Sequence, residues 1–312
     1  MLSFDAIIKY ICRKIVLLRI SKTIALSIGF IIYWGCVSCP LAQLIEKDKE
    51  YSFQSPGFFD MPSAISYDGG QHRMAFADRG RNLVYIFDLS NRSSTILGDN
   101  QEIKDPVGLA FSRNGDLFIS QADNSRIIIF GPNATDPDIL EMSGADPSRS
   151  IHPGKLFIDQ NDLLYVADQN QALIYVIDDS ANLKFKIKEK LRNPNGILVN
   201  QSGEIMVADR GIDPILIFSS DGVYLRRLSP PELPTEKFSY RASGLAIDQQ
   251  GQVYTLDVNT SRIIWFDPIG VNRTQWSPPP PFIPIDIAID RYNNIYVLES
   301  SSGSARIFVK GG

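Results

Sequence analysis

The chain has 312 residues, a formal net charge of −4, three cysteines and two histidines. All three cysteines (Cys12, Cys36, Cys39) precede residue 40, so the rest of the chain has no disulfide framework, and two histidines without a usable cysteine do not build a zinc centre. Setting aside the first 42 residues, with five basic side chains against Asp5, leaves about −8 on the remainder, which argues against nucleic acid held through a basic field.

In chain order, Lys9, Arg13, Lys14, Arg19 and Lys22 precede residues 23–42, a run without a charged residue. This is the layout of a secretory signal peptide or N-terminal membrane anchor over residues 1–42. The protein is therefore expected to be exported to the cell envelope, periplasmic or extracellular, with membrane attachment if the segment is retained. Cys36 and Cys39 end the apolar run, where a lipidated cysteine would sit, but neither has a Leu three residues before it. Cleavage, lipidation and retention all stay open.

Within residues 43–312, read as one propeller domain, one pattern is written six times from Asp60 to the C-terminus: Pro or Ala with a small or polar residue, an apolar strand, a turn, a second apolar strand ending in an acid or amide, a polar loop and a third apolar strand. The copies begin at Pro62, Pro106, Pro153, Pro194, Ala242 and Pro284, at intervals of 41 to 48 residues. The strands are short and rich in Ile, Val, Phe and Tyr, as in Ile127-Ile128-Ile129-Phe130, and nearly continuous apolar runs imply burial on both faces. A period of this length with several strands per unit predicts an all-β, six-bladed β-propeller of four-stranded antiparallel blades, starting near residues 60, 104, 151, 192, 240 and 282. Fourth strands are expected at Ser94–Leu97, 139–142, 184–188, 223–228 and Arg273–Trp276. The last copy stops after its third strand. Residues 50–54 (EYSFQ) stand at the fourth-strand offset before the first copy and are expected to pair with the last blade, closing the ring.

The repeated residues resemble the NHL repeat: Pro106, Gly108, Gly115, Asn124, Arg126 and Phe130 in the second copy; Tyr165-Val166-Ala167-Asp168 in the third; Pro194, Gly196, Gly203 and Val207-Ala208-Asp209 in the fourth; Gly244, Asp248, Gly251, Asp257, Arg262 and Phe266 in the fifth. YWTD propellers are a more distant likeness through Tyr254-Thr255-Leu256-Asp257. The resemblance implies the propeller architecture and says little about activity, because one fold hosts many functions.

Candidate chemistry is sparse. The recurrent Asp78, Asp168, Asp209, Asp257 and Glu299 follow the repeat, and so read as blade-internal hydrogen-bond acceptors. Features that break the repeat are better candidates. Arg79 and Arg81 in the first copy and Arg210 in the fourth sit on equivalent loops, where guanidinium forks suit an anionic ligand. Resemblance to lactonases of the regucalcin type implies a calcium site using Asn195 (in Pro194-Asn195-Gly196) and Asp286, although Met61-Pro62-Ser63 stands where that pattern has a Glu. His152 is the other isolated group able to move a proton. No complete catalytic set is present. The leading expectation is an exported propeller that binds a protein, peptide or other ligand, with no nucleic acid. The alternative is a calcium-type hydrolase or lyase with its site in the central channel.

Overall fold

The computed structural model describes residues 44–46, 59–98, 102–122, 125–134, 136–142, 150–178, 180, 182–211, 215–228, 241–270 and 273–310. The leader, with Cys36 and Cys39, and residues 50–54 lie outside the described residues. Within them the chain is all β, with no α-helix, and no helix long and apolar enough to cross a membrane.

After β1 (Leu44–Glu46), the first blade holds β2 (Pro62–Asp68), β3 (Arg73–Asp78), β4 (Leu83–Asp88) and β5 (Ser94–Leu97). The second holds β6 (Pro106–Phe111), β7 (Leu117–Gln121), β8 (Arg126–Phe130) and β9 (Asp138–Glu141). The third holds β10 (Leu156–Ile158), β11 (Leu164–Asp168), β12 (Leu173–Ile177) and β13 (Leu183–Ile187). The fourth holds β14 (Pro194–Val199), β15 (Ile205–Asp209), β16 (Ile215–Phe218) and β17 (Tyr224–Leu228). The fifth holds β18 (Ala242–Ile247), β19 (Val253–Asp257), β20 (Arg262–Phe266) and β21 (Arg273–Trp276). The sixth holds β22 (Pro284–Ile289), β23 (Ile295–Glu299) and β24 (Ser304–Lys310). Every sheet has four antiparallel strands, and the first strands of successive blades face one another around an axis.

The ring does close through an N-terminal strand, but that strand is β1. It pairs with β24 in the register Leu44↔Lys310, Ile45↔Val309 and Glu46↔Phe308. The closing strand therefore comes from further upstream than the expected residues 50–54.

The second strand of each blade is buried throughout, or nearly so, in β3, β11, β15, β19 and β23. Apolar clusters fill the clefts between neighbours; one joins Ile127, Leu164 and Tyr175 across blades two and three, and another joins Phe76, Tyr85, Tyr296 and Leu298 across blades six and one. Burial on both faces explains why the runs do not alternate.

The repeated carboxylates close each blade from within. Asp209, 1% exposed, accepts from the backbone N–H groups of Arg192 at 2.8 Å, Asn193 at 3.0 Å and Gly211 at 2.6 Å. Asp78 accepts from Asp60 and Met61, Asp168 from His152 and Gln171, and Gln121 does the same work for Lys104 in blade two. A second set, of which Tyr165, Asp248 and Tyr254 belong to the repeat motif, straps the opposite turns: the Tyr165, Tyr254 and Tyr296 hydroxyls donate to Asp159, Asp248 and Asp290 at 3.3, 3.0 and 3.0 Å. Burial, reinforced by those carboxylates, pushes all three phenols well above the ordinary tyrosine value. Asp209→Ala would orphan three backbone donors and is expected to cost about 3 kcal/mol, with Asp209→Asn milder because one acceptor oxygen remains. Urea unfolding of the two variants measures this, and equal midpoints for Asp209→Ala and wild type would refute the role.

Candidate ligand site at the channel mouth

The first strand of a blade carries one residue more than its neighbour can match. In blades one, two, four and six the register between first and second strands slips between Pro62 and Ala64, Pro106 and Gly108, Pro194 and Gly196, and Pro284 and Asp286. In blade five it slips between Ser243 and Leu245. Such a bulge leaves one residue out of the ladder and re-aims its side chain. The unmatched residues are Ser63, Val107, Asn195 and Ile285, and all four line a cavity of about 420 Å³ at one end of the axis. Blade five uses Gly244 at φ +65°, where a Cβ would lie 2.6 Å from an Asp286 carboxylate oxygen.

The cavity wall is two-sided. Blades three and four supply His152, Lys155, Gln169, Asn170, Asn195 and Arg210; blades six, one and two supply Ile285, Met61, Val107 and Ala122 together with Ser63 and Arg79. Among the described residues no Asp or Glu lines it.

Arg210 is half-buried against the Asn195 amide, which, turned so that its oxygen faces the guanidinium, accepts from Nε at 3.2 Å and Nη2 at 3.0 Å. Arg210 Nη2 also donates to Ser243 Oγ at 2.8 Å, and that hydroxyl donates to the Ile285 carbonyl at 2.8 Å. Burial pulls the Arg210 value below that of an ordinary guanidinium, with Asp286 acting in the opposite sense. The side chain stays cationic at neutral pH, since arginine does not lose its proton in proteins. No carboxylate lies within ion-pairing distance of Arg210 among the described residues.

The other candidate arginines differ. Arg79 also lines the cavity, but it is committed to Asp105: Nε donates to Oδ1, Nη2 donates to Oδ2 at 2.8 Å, and these bonds raise its value. Arg81 does not line the cavity; its Nη1 donates to the Tyr85 hydroxyl at 3.4 Å and its Nε lies 3.9 Å from Asp78. The sequence expectation of three equivalent anion-binding arginines reduces to one uncommitted group.

Beneath the mouth a bar crosses the axis. Lys155 of blade three reaches Asp286 of blade six, with Nζ 2.5 Å from Oδ2, and donates to the Ser63 carbonyl of blade one at 2.7 Å. Asp286 accepts in addition from the backbone N–H of Ile287 at 3.0 Å and Ile65 at 3.3 Å. Below it lies a cavity of about 280 Å³ with walls that include Leu109, Ile197, Leu245 and Ile287. Lys155 and Ser243 were not singled out in the sequence. The signal that would have found them is positional: Ser243 stands where other copies carry Ser63, Val107 and Asn195, and Lys155 one residue further on, where other copies carry Ala64, Gly108 and Gly196.

This donor set does not fit a divalent ion. Asn195 faces a guanidinium, Asp286 is already neutralised by an ammonium, and no group of three or more His, Cys, Asp and Glu able to hold a metal occurs among the described residues. Of the two histidines, His72 is buried at the other end of blade one, with Nδ1 2.8 Å from the Tyr67 hydroxyl; burial, and then Arg291, lower its value. His152 lines the mouth, and its backbone N–H is held by Asp168.

No family model matches the chain. The Protein brain tumor of Drosophila melanogaster is 29% identical over 119 residues, which is 36% of this chain and 11% of the fly protein. The chain thus spans about a tenth of that relative. Among solved structures, a gluconolactonase from Xanthomonas campestris superposes with a TM-score of 0.65 at 13% identity, over 81% of this chain and 88% of the other. A catalytically inactive histidine-to-alanine variant of virginiamycin B lyase from Staphylococcus aureus, with quinupristin, gives 0.62 at 10% identity, over 86% and 98%. The WD40 propeller domain of Doa1 gives 0.58 at 12%, over 83% and 95%. At these identities the likeness establishes the six-bladed propeller and nothing about its chemistry.

Lys155 and Asp286 are both largely buried, with side chains 13% and 10% exposed. Lys155→Met therefore strands a charge and is expected to cost about 3 kcal/mol, while Lys155→Met with Asp286→Asn recovers at least about 1 kcal/mol of that loss. A double-mutant cycle by chemical denaturation reads the coupling. Simple additivity would mean that the bar contributes nothing.

Proposed function

We propose that the protein is an exported NHL-type propeller whose function is to bind a ligand, and that the ligand docks through an anionic group at the mouth of the central channel. The observation that carries this is Arg210. It is a half-buried cation braced by Asn195 and Ser243, and among the described residues it has no carboxylate partner and lines a cavity without an acid. A guanidinium fixed on two sides, with its remaining N–H groups uncommitted, suits an oxyanion. The repeated motifs support the NHL assignment, and the leader supports export. Because the field is local to the mouth while the body is acidic overall, polyanions such as nucleic acid are disfavoured.

The test is calorimetry and thermal shift with acetate and inorganic phosphate at low ionic strength. Charge-assisted hydrogen bonds contribute about 1.5–3 kcal/mol, so Arg210→Met is expected to weaken binding by about 10- to 100-fold, with Arg210→Lys in between. Binding that ignores Arg210→Met would overturn the reading.

A second reading, a lyase or hydrolase working at the same mouth, draws on His152, which lines the cavity as Arg210 does, and on the two enzymes among the structural neighbours. It predicts turnover in a screen of lactones and esters that His152→Ala abolishes. The calcium-dependent form of this reading requires the Lys155 ammonium to be displaced from Asp286. A calcium titration that raises the unfolding midpoint, and loses that effect in Asp286→Ala, would restore it.

A further inference from the structure

The two-sided wall of the mouth says more than that an anion binds there. We infer that the ligand is a monocarboxylate with an apolar body, its head on Arg210 and its body lying across the axis toward blade one. The inference rests on the anion reading above and deepens it.

Charge counting sets the head. Three Lys or Arg side chains line the cavity, and two are already matched, Lys155 by Asp286 and Arg79 by Asp105. One positive charge is left, on Arg210, whose Nε and Nη2 are taken by Asn195 and Ser243 while Nη1 has no partner among the described residues. A single open nitrogen with one uncompensated charge matches a monoanion. A dianion such as a phosphate monoester would bring a second charge with no second unmatched cation among the lining residues, since Arg241, whose charge acts on Arg210, is not one of them.

The far wall sets the body. Blades one and four are opposite in a six-bladed ring, so Met61 stands across the axis from Arg210, flanked by Val107 of blade two and Ile285 of blade six. Met61 is 56% exposed and forms an apolar rim with Val107 and Ile285, beside Ser63 and the Asp105-paired Arg79 that line the same side. Val107 and Ile285 are turned to the mouth by the bulges, so the backbone itself presents them. Below, the Lys155–Asp286 bar floors the site, so the body turns sideways over this rim and does not enter the channel. The cavity, about 420 Å³, lies at the small end of the range for small-molecule sites.

The experiment is a calorimetric series of linear carboxylates from acetate to octanoate, below their micellar concentrations, on wild type, Arg210→Met and the double variant Met61→Ser with Val107→Ser. On wild type the affinity is expected to rise about two- to fourfold per methylene until the rim is covered. Arg210→Met should weaken every member by a similar factor, and the double variant should flatten the slope; hexyl phosphate should bind more weakly than heptanoate. A flat series that still depends on Arg210 would overturn the apolar-body inference and leave the anion reading standing. A steep series indifferent to Arg210 would overturn both.

Discussion

Five of the six blades, all but the third, start the first strand with a residue paired to the end of the second, and one position later, two in blade five, that strand gains a residue its partner lacks. The pairing is anchored where a buried strand-end acceptor, Asp209 in blade four, collects the N–H groups of the incoming loop. The surplus residue cannot join the ladder and is pushed out at the channel mouth. The chemistry of the mouth is therefore written at positions the repeat leaves free: Ser63, Val107, Asn195 and Ile285. The fold and the site depend on the same local event, an anchored strand followed by a slip.

This explains what the sequence could and could not disclose. The period, the doubly buried strands and the strand-end acids are consequences of packing that recur in every copy, so six blades were readable from residues such as Ile127 to Phe130 and Val207 to Asp209. Fourth strands were placed to within a residue or so, because their offset from the third is fixed by a short turn. The closing strand was assigned to residues 50–54 because the same offset was applied to a segment with no preceding blade to constrain it. β1 lies further upstream, and nothing in a three-residue pairing announces itself in composition.

The site was legible only in part. Arg210 and Asn195 drew attention by breaking the repeat, and the structure places them in contact. Their partners did not stand out, because Ser243 and Lys155 are ordinary residues whose meaning comes from blades far apart in sequence. Asp286 read as an oxygen donor for a cation, and in a sense it is one: the cation is the Lys155 ammonium, which comes from 131 residues away. Long-range ion pairing of this kind leaves no local pattern. Arg79 and Arg81 looked equivalent to Arg210 by alignment, yet Asp105, Asp78 and Tyr85 engage them.

The bar from Lys155 to Asp286 has one more implication. A ring of repeats is close to a one-dimensional system, in which the free energy is a sum over single units and adjacent interfaces, and a disturbance decays from neighbour to neighbour. A bond between the third and sixth blades adds a term that skips two units in either direction around the circle. Statistically it turns a loop into a loop with a chord, so loosening at one blade is felt at the opposite blade without passing through those between.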